Sequence, residues 1–368
     1  MTPDEADARR VRLEVLSAAG GPLSSRSPQA SVSNPQWYGS DGRATAARAE
    51  LHKRLVADFE AEAPEVPQNR QAVVITGPPG AGKSNVRDDI LKDTGTTSEQ
   101  WRHIDPDAFR DRLSSAMQQD GTIGQLVPPE AADLQPTQRE LASQLFVESA
   151  KLATTAQNQA VARGDNLIVE GVYSDPKRLD ALVKGLEKKG YDVHLASVDV
   201  SHDDSLARTQ DRYRQHAIEA AESGVQGHDA LGGRVVPAES LQAHFDEAGT
   251  SKATAATQQI AAQRPSVQSL RQYEVTAANQ PSKLASVAQR QGGMQPVDAQ
   301  TYKSARAAGM MQPLPSTQQA AGRPSGGQGA KGQGRQGQGQ GQGQDQGQRP
   351  EHRQRPRQQG GPSRPLDR

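Results

Sequence analysis

The chain has 368 residues, enough for one or two ordinary domains, with no cysteine and with 43 basic against 43 acidic side chains. It can therefore build no disulfide framework or thiolate metal site, and its net charge singles out no class of partner. Hydrophobic residues make up 33% and aromatics 3%, which argues against one well-packed globule over the whole length. The N-terminus starts acidic and lacks the apolar core of a signal peptide, and no run reaches the roughly 18 apolar residues of a membrane span. The reading is a cytoplasmic protein with no membrane contact; secretion without a cleaved signal stays open.

Residues 1–40 read as a flexible N-terminal segment, with a short helix over Asp4–Leu16 and a Gly/Ser/Pro/Asn linker from Gly20 to Pro35. Asp41 is expected to cap a helix to about Ala63, whose Leu51, Leu55, Val56 and Phe59 share one face; Pro64 and Pro67 end it. Gln71–Thr76 reads as a short buried strand, followed by a glycine loop and a helix from about Lys83 to Lys92. Trp101–Asp105 is a second strand ending in an acidic turn, and Pro128, Pro129 and Pro136 mark a loop. Thr137–Arg163 reads as one long helix with Leu141, Leu145, Leu152 and Ala156 as its apolar stripe. Asn166–Glu170 is a third strand, Pro176–Lys189 a helix closed by Gly190, and Asp192–Val200 a fourth strand. Asp203 or Asp204 caps a charged helix to about Glu222; a flexible loop Gly224–Gly233, a helix Pro237–Glu247 and a short strand Ser269–Val275 follow.

Strands alternating with helices require crossover connections, so the expected fold is α/β, a P-loop kinase-like parallel sheet flanked by helices. The compact domain is expected over 41–280, and 281–368 as a largely disordered tail. From about Ala320 the composition is Gly, Gln, Arg and Pro, from which no core can be packed, and from Thr317 onward the net charge is +6. The tail reads as solvated, with weak contact to nucleic acid or another polyanion as the sharper alternative.

Gly77–Ser84 (GPPGAGKS) matches G-x-x-x-x-G-K-[ST]. Glycines at 77, 80 and 82 let the backbone of Gly77, Pro78, Pro79, Gly80, Ala81 and Gly82 wrap a phosphate with its N–H groups facing the anion. The helix starting near Lys83 aims its positive end at the same place. Lys83 is expected to reach the β- and γ-phosphates of ATP, and the Ser84 hydroxyl to ligate Mg²⁺. The preceding strand and following helix weigh against an ordinary strand–turn–helix corner. The motif does not say what receives the phosphate.

His103–Arg110 (HIDPDAFR) places Asp105 and Asp107 at the carboxyl end of the second strand, where open α/β sheets bind ligands. Spacing alone leaves two readings open: a carboxylate base for an acceptor hydroxyl, or an Asp that caps the next helix. The succession GPPGAGKS, HIDPDAFR and GDNLIVEG resembles the zeta toxin family of bacterial toxin–antitoxin systems, over roughly residues 45–275. Asp211-Arg212-Tyr213 resembles that family's Arg-Tyr segment, and Arg234 before Val235-Val236-Pro237 resembles the arginine of its lid loop.

The resemblance implies ATP-dependent phosphorylation of UDP-N-acetylglucosamine at a sugar hydroxyl. It makes Asp107 the general base and puts Asp105, Arg110 and Glu170 on the substrate side. Arg212 and Arg234 become clamps on the transferring phosphate, and an antitoxin protein becomes a possible partner. Two positions depart from the family pattern: Thr154, where the family often carries Glu, and Val172, where it commonly carries Thr. Both bear on the acceptor. The alternatives are therefore a kinase for another small hydroxyl acceptor, such as an antibiotic or a nucleotide, and a catalytically silent ATP-binding module.

Overall fold

The chain is described here by a computed structural model covering residues 1–315. Residues 316–368, and with them the expected polyanion contact, lie outside the described residues. Five parallel strands form the core of one sheet: β1 (Gln71–Thr76), β2 (Arg102–Ile104), β3 (Leu167–Gly171), β4 (Asp192–Asp199) and β5 (Val267–Glu274). Two antiparallel strands, β6 (Lys283–Gln289) and β7 (Pro296–Asp298), extend it to the order β2-β3-β1-β4-β5-β6-β7. The helices are α1 (Pro3–Ser17), α2 (Ala46–Ala61), α3 (Lys83–Thr94), α4 (Pro106–Gln119), α5 (Phe146–Arg163), α6 (Pro176–Glu187), α7 (His202–Glu222), α8 (Ala238–Gln242), α9 (Lys252–Gln263) and α10 (Ala299–Ala307).

Alternation along β1 explains the layering. Successive side chains point to opposite faces of a strand. Ala72 and Val74 join one apolar cluster with Leu195, Val169 and the buried faces of α2, α4, α5 and α6. Val73 and Ile75 join the other with Val86 and Ile90 of α3, Val198 and Tyr273. β1 and β4 are neighbours, and the connection after β1 runs to β2 on one side while the connection after β4 runs to β5 on the other, which opens a crevice at the strands' carboxyl ends.

Several expectations are corrected. Residues 1–40, read as flexible, carry α1 and a series of turns that bury Leu13, Leu23, Ala30 and Ser31. Asp41 does not cap α2; it accepts from the Arg43 amide in a turn, and α2 starts after Thr45. The helix expected from Thr137 starts only at Phe146. Upstream, Thr137 N donates to Glu140, and Gln138 N and Arg139 N donate to the Ala230 and Leu231 carbonyls, so this backbone is engaged by other partners. The helix expected over Pro237–Glu247 is only five residues long. α9 escaped the pattern because its buried face is mostly Ala and Thr, anchored by Ile260. The tail expected to lose order at 281 instead supplies β6, β7 and α10 through Ala307.

Candidate active site

β1 delivers the glycine loop to the crevice. Gly80 has φ +75°, and a Cβ there would lie 2.8 Å from the Ser205 carbonyl oxygen, so α7 packs too close for any side chain. α7 also holds the loop directly. Ser205 Oγ donates to the Pro79 carbonyl at 2.6 Å, and the Arg208 guanidinium donates to the Gly80 carbonyl at 3.1 Å. Lys83 Nζ donates to the Gly77 and Pro78 carbonyls at 3.1 and 3.2 Å. Burial lowers the Lys83 pKa, partly offset by Glu170, Asp107 and Asp105.

β2 ends in the acidic turn, and its two carboxylates do different things. Asp105 caps α4 by accepting from the Asp107 amide at 2.9 Å. Asp107 turns to the arginines, pairing with Arg110 at 2.9 Å and with Arg234. Arg234 also reaches Asp111 at 3.2 Å, which in turn pairs with Arg139 at 2.8 Å. A cavity of about 300 Å³ is lined by Asp105, Asp107, Arg212 and Arg234, together with Asp111, Arg139 and His216. Arg110 does not line it; its guanidinium is buried between Asp107 and the Phe146 ring, 5.3 Å from the ring centroid.

Glu170 closes β3 as a buried carboxylate. His103 Nε2 lies 2.8 Å from Glu170 Oε1, with Arg87 at 3.5 Å. Burial raises the Glu170 pKa, but His103, Lys83 and Arg87 more than reverse this and leave it lowered. Beyond it, Val172 leads into Tyr173, which sits at φ +48°, a strained conformation for a residue with a side chain. Thr154 lies exposed on α5, its hydroxyl donating to the Ala150 carbonyl.

The predicted residues thus fall into three adjoining groups: the glycine loop with Lys83, the Asp107–Arg212–Arg234 cavity, and the Glu170 pair. Sequence reasoning missed His103, Asp111, Arg139, Arg208 and His216. Asp111 stands one helical turn after Asp107 and His216 one turn after Arg212, so the i, i+4 spacing was the available signal. Arg139 carried none.

Among the described residues, no group of three or more His, Asp or Glu side chains is arranged to hold a metal ion. The Ser84 hydroxyl stands exposed in the first turn of α3. One hydroxyl beside a phosphate loop suits Mg²⁺, which keeps several waters and takes phosphate oxygens. No helix among the described residues is long and apolar enough to cross a membrane.

No curated protein matches the chain. Among solved structures it is similar to one from the PezAT chromosomal toxin–antitoxin system of Streptococcus pneumoniae, at 13% identity and a TM-score of 0.44 over 72% of this chain and 88% of that one. It is also similar to a chain of the AvrRxo1-ORF1:-ORF2 complex, at 14% identity and a TM-score of 0.46 over 74% of this chain and 75% of that one. The same complex with ATP gives 15% identity and a TM-score of 0.44 over 76% of each chain. The family model described as Zeta toxin matches residues 56–280, more than half of the chain. This chain belongs to the zeta toxin family.

Proposed function

We propose that the protein is an ATP-dependent phosphotransferase that phosphorylates a hydroxyl of a small acceptor, with UDP-N-acetylglucosamine as the leading candidate. One observation carries the reading. Lys83 of the phosphate loop and Asp107 of the acidic turn lie close enough to perturb each other electrostatically, and Arg212 acts on both. A nucleotide on the loop would bring its γ-phosphoryl group to this point, with Mg²⁺ held by Ser84 and the phosphates.

The chemistry follows from the charges. Asp107 is ionised and tied to Arg234. An entering γ-phosphoryl group offers Arg212 and Arg234 a second anion, and neutralising it would draw Arg234 off Asp107. The carboxylate then becomes the stronger base, at the moment an acceptor hydroxyl has a proton to lose. Glu170, held by His103 and Arg87, is the group we assign to orienting the acceptor. An antitoxin that binds this chain belongs to the same reading.

The test is acceptor-dependent ADP release together with mass analysis of the acceptor for one added phosphoryl group. With UDP-N-acetylglucosamine, Lys83→Ala and Asp107→Ala should each lower turnover by about 100-fold or more. ADP release that needs no acceptor and ignores Asp107→Ala would sink the reading. A different acceptor is the second reading, favoured by Val172 and the strained Tyr173 beside Glu170. Phosphoryl gain on another nucleotide or on an antibiotic, with none on UDP-N-acetylglucosamine, would select it.

A further inference from the structure

α1 lies outside the part of the chain that resembles the zeta toxins, yet it is tied to the helix and the loop that carry the two site arginines. We propose that Arg9, acting through Glu140 and Tyr213, is a positioning residue for Arg212 and Arg234. The inference rests on the phosphotransferase reading for what those arginines do, but not for where they are held.

Glu140 is a buried carboxylate. It accepts from Arg9 Nε at 2.7 Å, Arg9 Nη2 at 2.6 Å, the Tyr213 hydroxyl at 2.7 Å and the Thr137 amide at 2.8 Å. The donors come from three separate stretches of chain. A buried carboxylate is costly unless fully partnered, so losing one donor disturbs the other two stretches.

Two arms run from this point to the site. In the first, Tyr213 stands next to Arg212 on α7, and on its other side Arg214 pairs with Asp7 of α1 at 2.9 Å. The turn of α7 that aims Arg212 is therefore held by α1 through the two residues that follow it, Arg214 directly and Tyr213 by way of Glu140. In the second, the loop before Arg234 is packed on the same residues. A Cβ on Gly233 would lie 2.7 Å from the Tyr213 carbonyl oxygen, and one on Gly232 would overlap the Thr137 side chain. Gln138 N and Arg139 N donate to the Ala230 and Leu231 carbonyls at 3.0 and 2.9 Å. Arg234 follows at once and reaches Asp107 and Asp111.

A second tie of α1 separates this role from simple docking. Arg12 pairs with Asp133 at 2.7 Å, but both side chains are about half exposed or more and neither contacts Glu140 or Tyr213. If α1 merely packs, the loss of either tie should have similar consequences.

The experiment uses the full chain as Arg9→Ala, Arg9→Lys, Tyr213→Phe and Arg12→Ala. The first readout needs no acceptor: amide hydrogen exchange of Gln138 and Arg139, with β1 and β4 amides as the fold control. Arg9→Ala and Tyr213→Phe should speed exchange at 138 and 139 by about 10-fold or more, because those amides are freed by local opening. Arg9→Lys should restore part of the protection, and Arg12→Ala should leave the wild-type rate. The second readout is ADP release with UDP-N-acetylglucosamine, where Arg9→Ala should lower kcat by about 10-fold or more with little change in the KM for ATP, the mark of misplaced transition-state groups. Wild-type exchange at 138 and 139 in Arg9→Ala, or an equal effect from Arg12→Ala, overturns the proposal. A wild-type chain that phosphorylates nothing defeats the phosphotransferase reading alone, and exchange still decides the positioning role.

Discussion

Asp105 and Asp107 sit two residues apart and are pulled in opposite directions. Burial and the neighbouring Asp107 charge raise Asp105 above the ordinary carboxylate value. Burial also pushes Asp107 up, but Arg234, then Arg110 and Lys83, more than reverse it and leave Asp107 below that value. Spacing could not choose between a cap and a base, and in the structure the cap falls to Asp105 while Asp107 faces the arginines. Glu170 was legible as a carboxylate that needs a partner, yet neither His103 nor Arg87 was, because pairing across strands and helices is not written in local spacing. The Asp107 shift has a pH consequence. The base proposed for Asp107 works deprotonated, so on that reading a lowered pKa moves the acid-side loss of activity to lower pH, and wild-type kcat/KM should show no Asp107 limb between about pH 5 and 8. Arg234→Gln removes the largest lowering charge, so Asp107 rises and the acid limb moves to higher pH. A pH–rate profile of acceptor-dependent turnover in the two proteins checks this, and an unmoved limb in the variant would remove Arg234 from the control of Asp107.

At the scale of elements, apolar stripes were readable and the polar ties between them were not. The face of α2 formed by Leu51, Leu55, Val56 and Phe59 is buried as its spacing predicts. Arg48 on that helix is buried too, against expectation for an arginine, because it meets Glu148 of α5 at 2.6 Å while His52 meets the same carboxylate at 2.6 Å. Burial pushes Glu148 up, but the His52 and Arg48 hydrogen bonds more than reverse it, to about 2 against an ordinary 4.5. The folded state therefore holds fewer protons at this site than the unfolded chain. The stability it contributes is complete above about pH 4.5 and drains as pH falls towards 2. Glu148→Gln leaves Arg48 buried without its counter-charge and should cost roughly 3–5 kcal/mol at neutral pH. It should also flatten the fall in stability between pH 4.5 and 2. Denaturant unfolding across that window measures both, and a variant with the wild-type slope would show that Glu148 is not the titrating group.

Over the whole molecule, the sheet was legible where its strands are buried on both faces, as in QAVVIT and NLIVE, and not where it is half-exposed. β6 shows solvent one end of KLASVAQ, and α10 buries a single side chain, Tyr302, so neither carries an apolar run or a stripe. What fixes α10 is polar. Arg271 of β5 is buried and pairs with Asp93 at 2.5 Å, and the Tyr302 hydroxyl donates to Asp93 at 2.7 Å and accepts from Arg271 at 3.2 Å. Asp93 sits in the last turn of α3, the helix whose first residue is Lys83. The C-terminal elements are thus fastened to the far end of the helix that starts at the phosphate loop. α3 has other anchors nearer that loop, since Tyr273 of β5 donates to Asp89 at 2.7 Å and Val86 and Ile90 are buried against the sheet. Tyr302→Ala removes a fully buried ring and one partner each from Arg271 and Asp93, so it should destabilise the fold by roughly 3–5 kcal/mol. Because the Lys83 end of α3 keeps its own contacts, ATP affinity measured well below the melting temperature should change by less than about 2-fold, as for distant sites that share no partner. Thermal unfolding and ATP titration of one preparation test the pair of outcomes. An unchanged melting temperature would mean that α10 is not integral to the fold, and a large loss of ATP affinity would mean that the two ends of α3 are coupled.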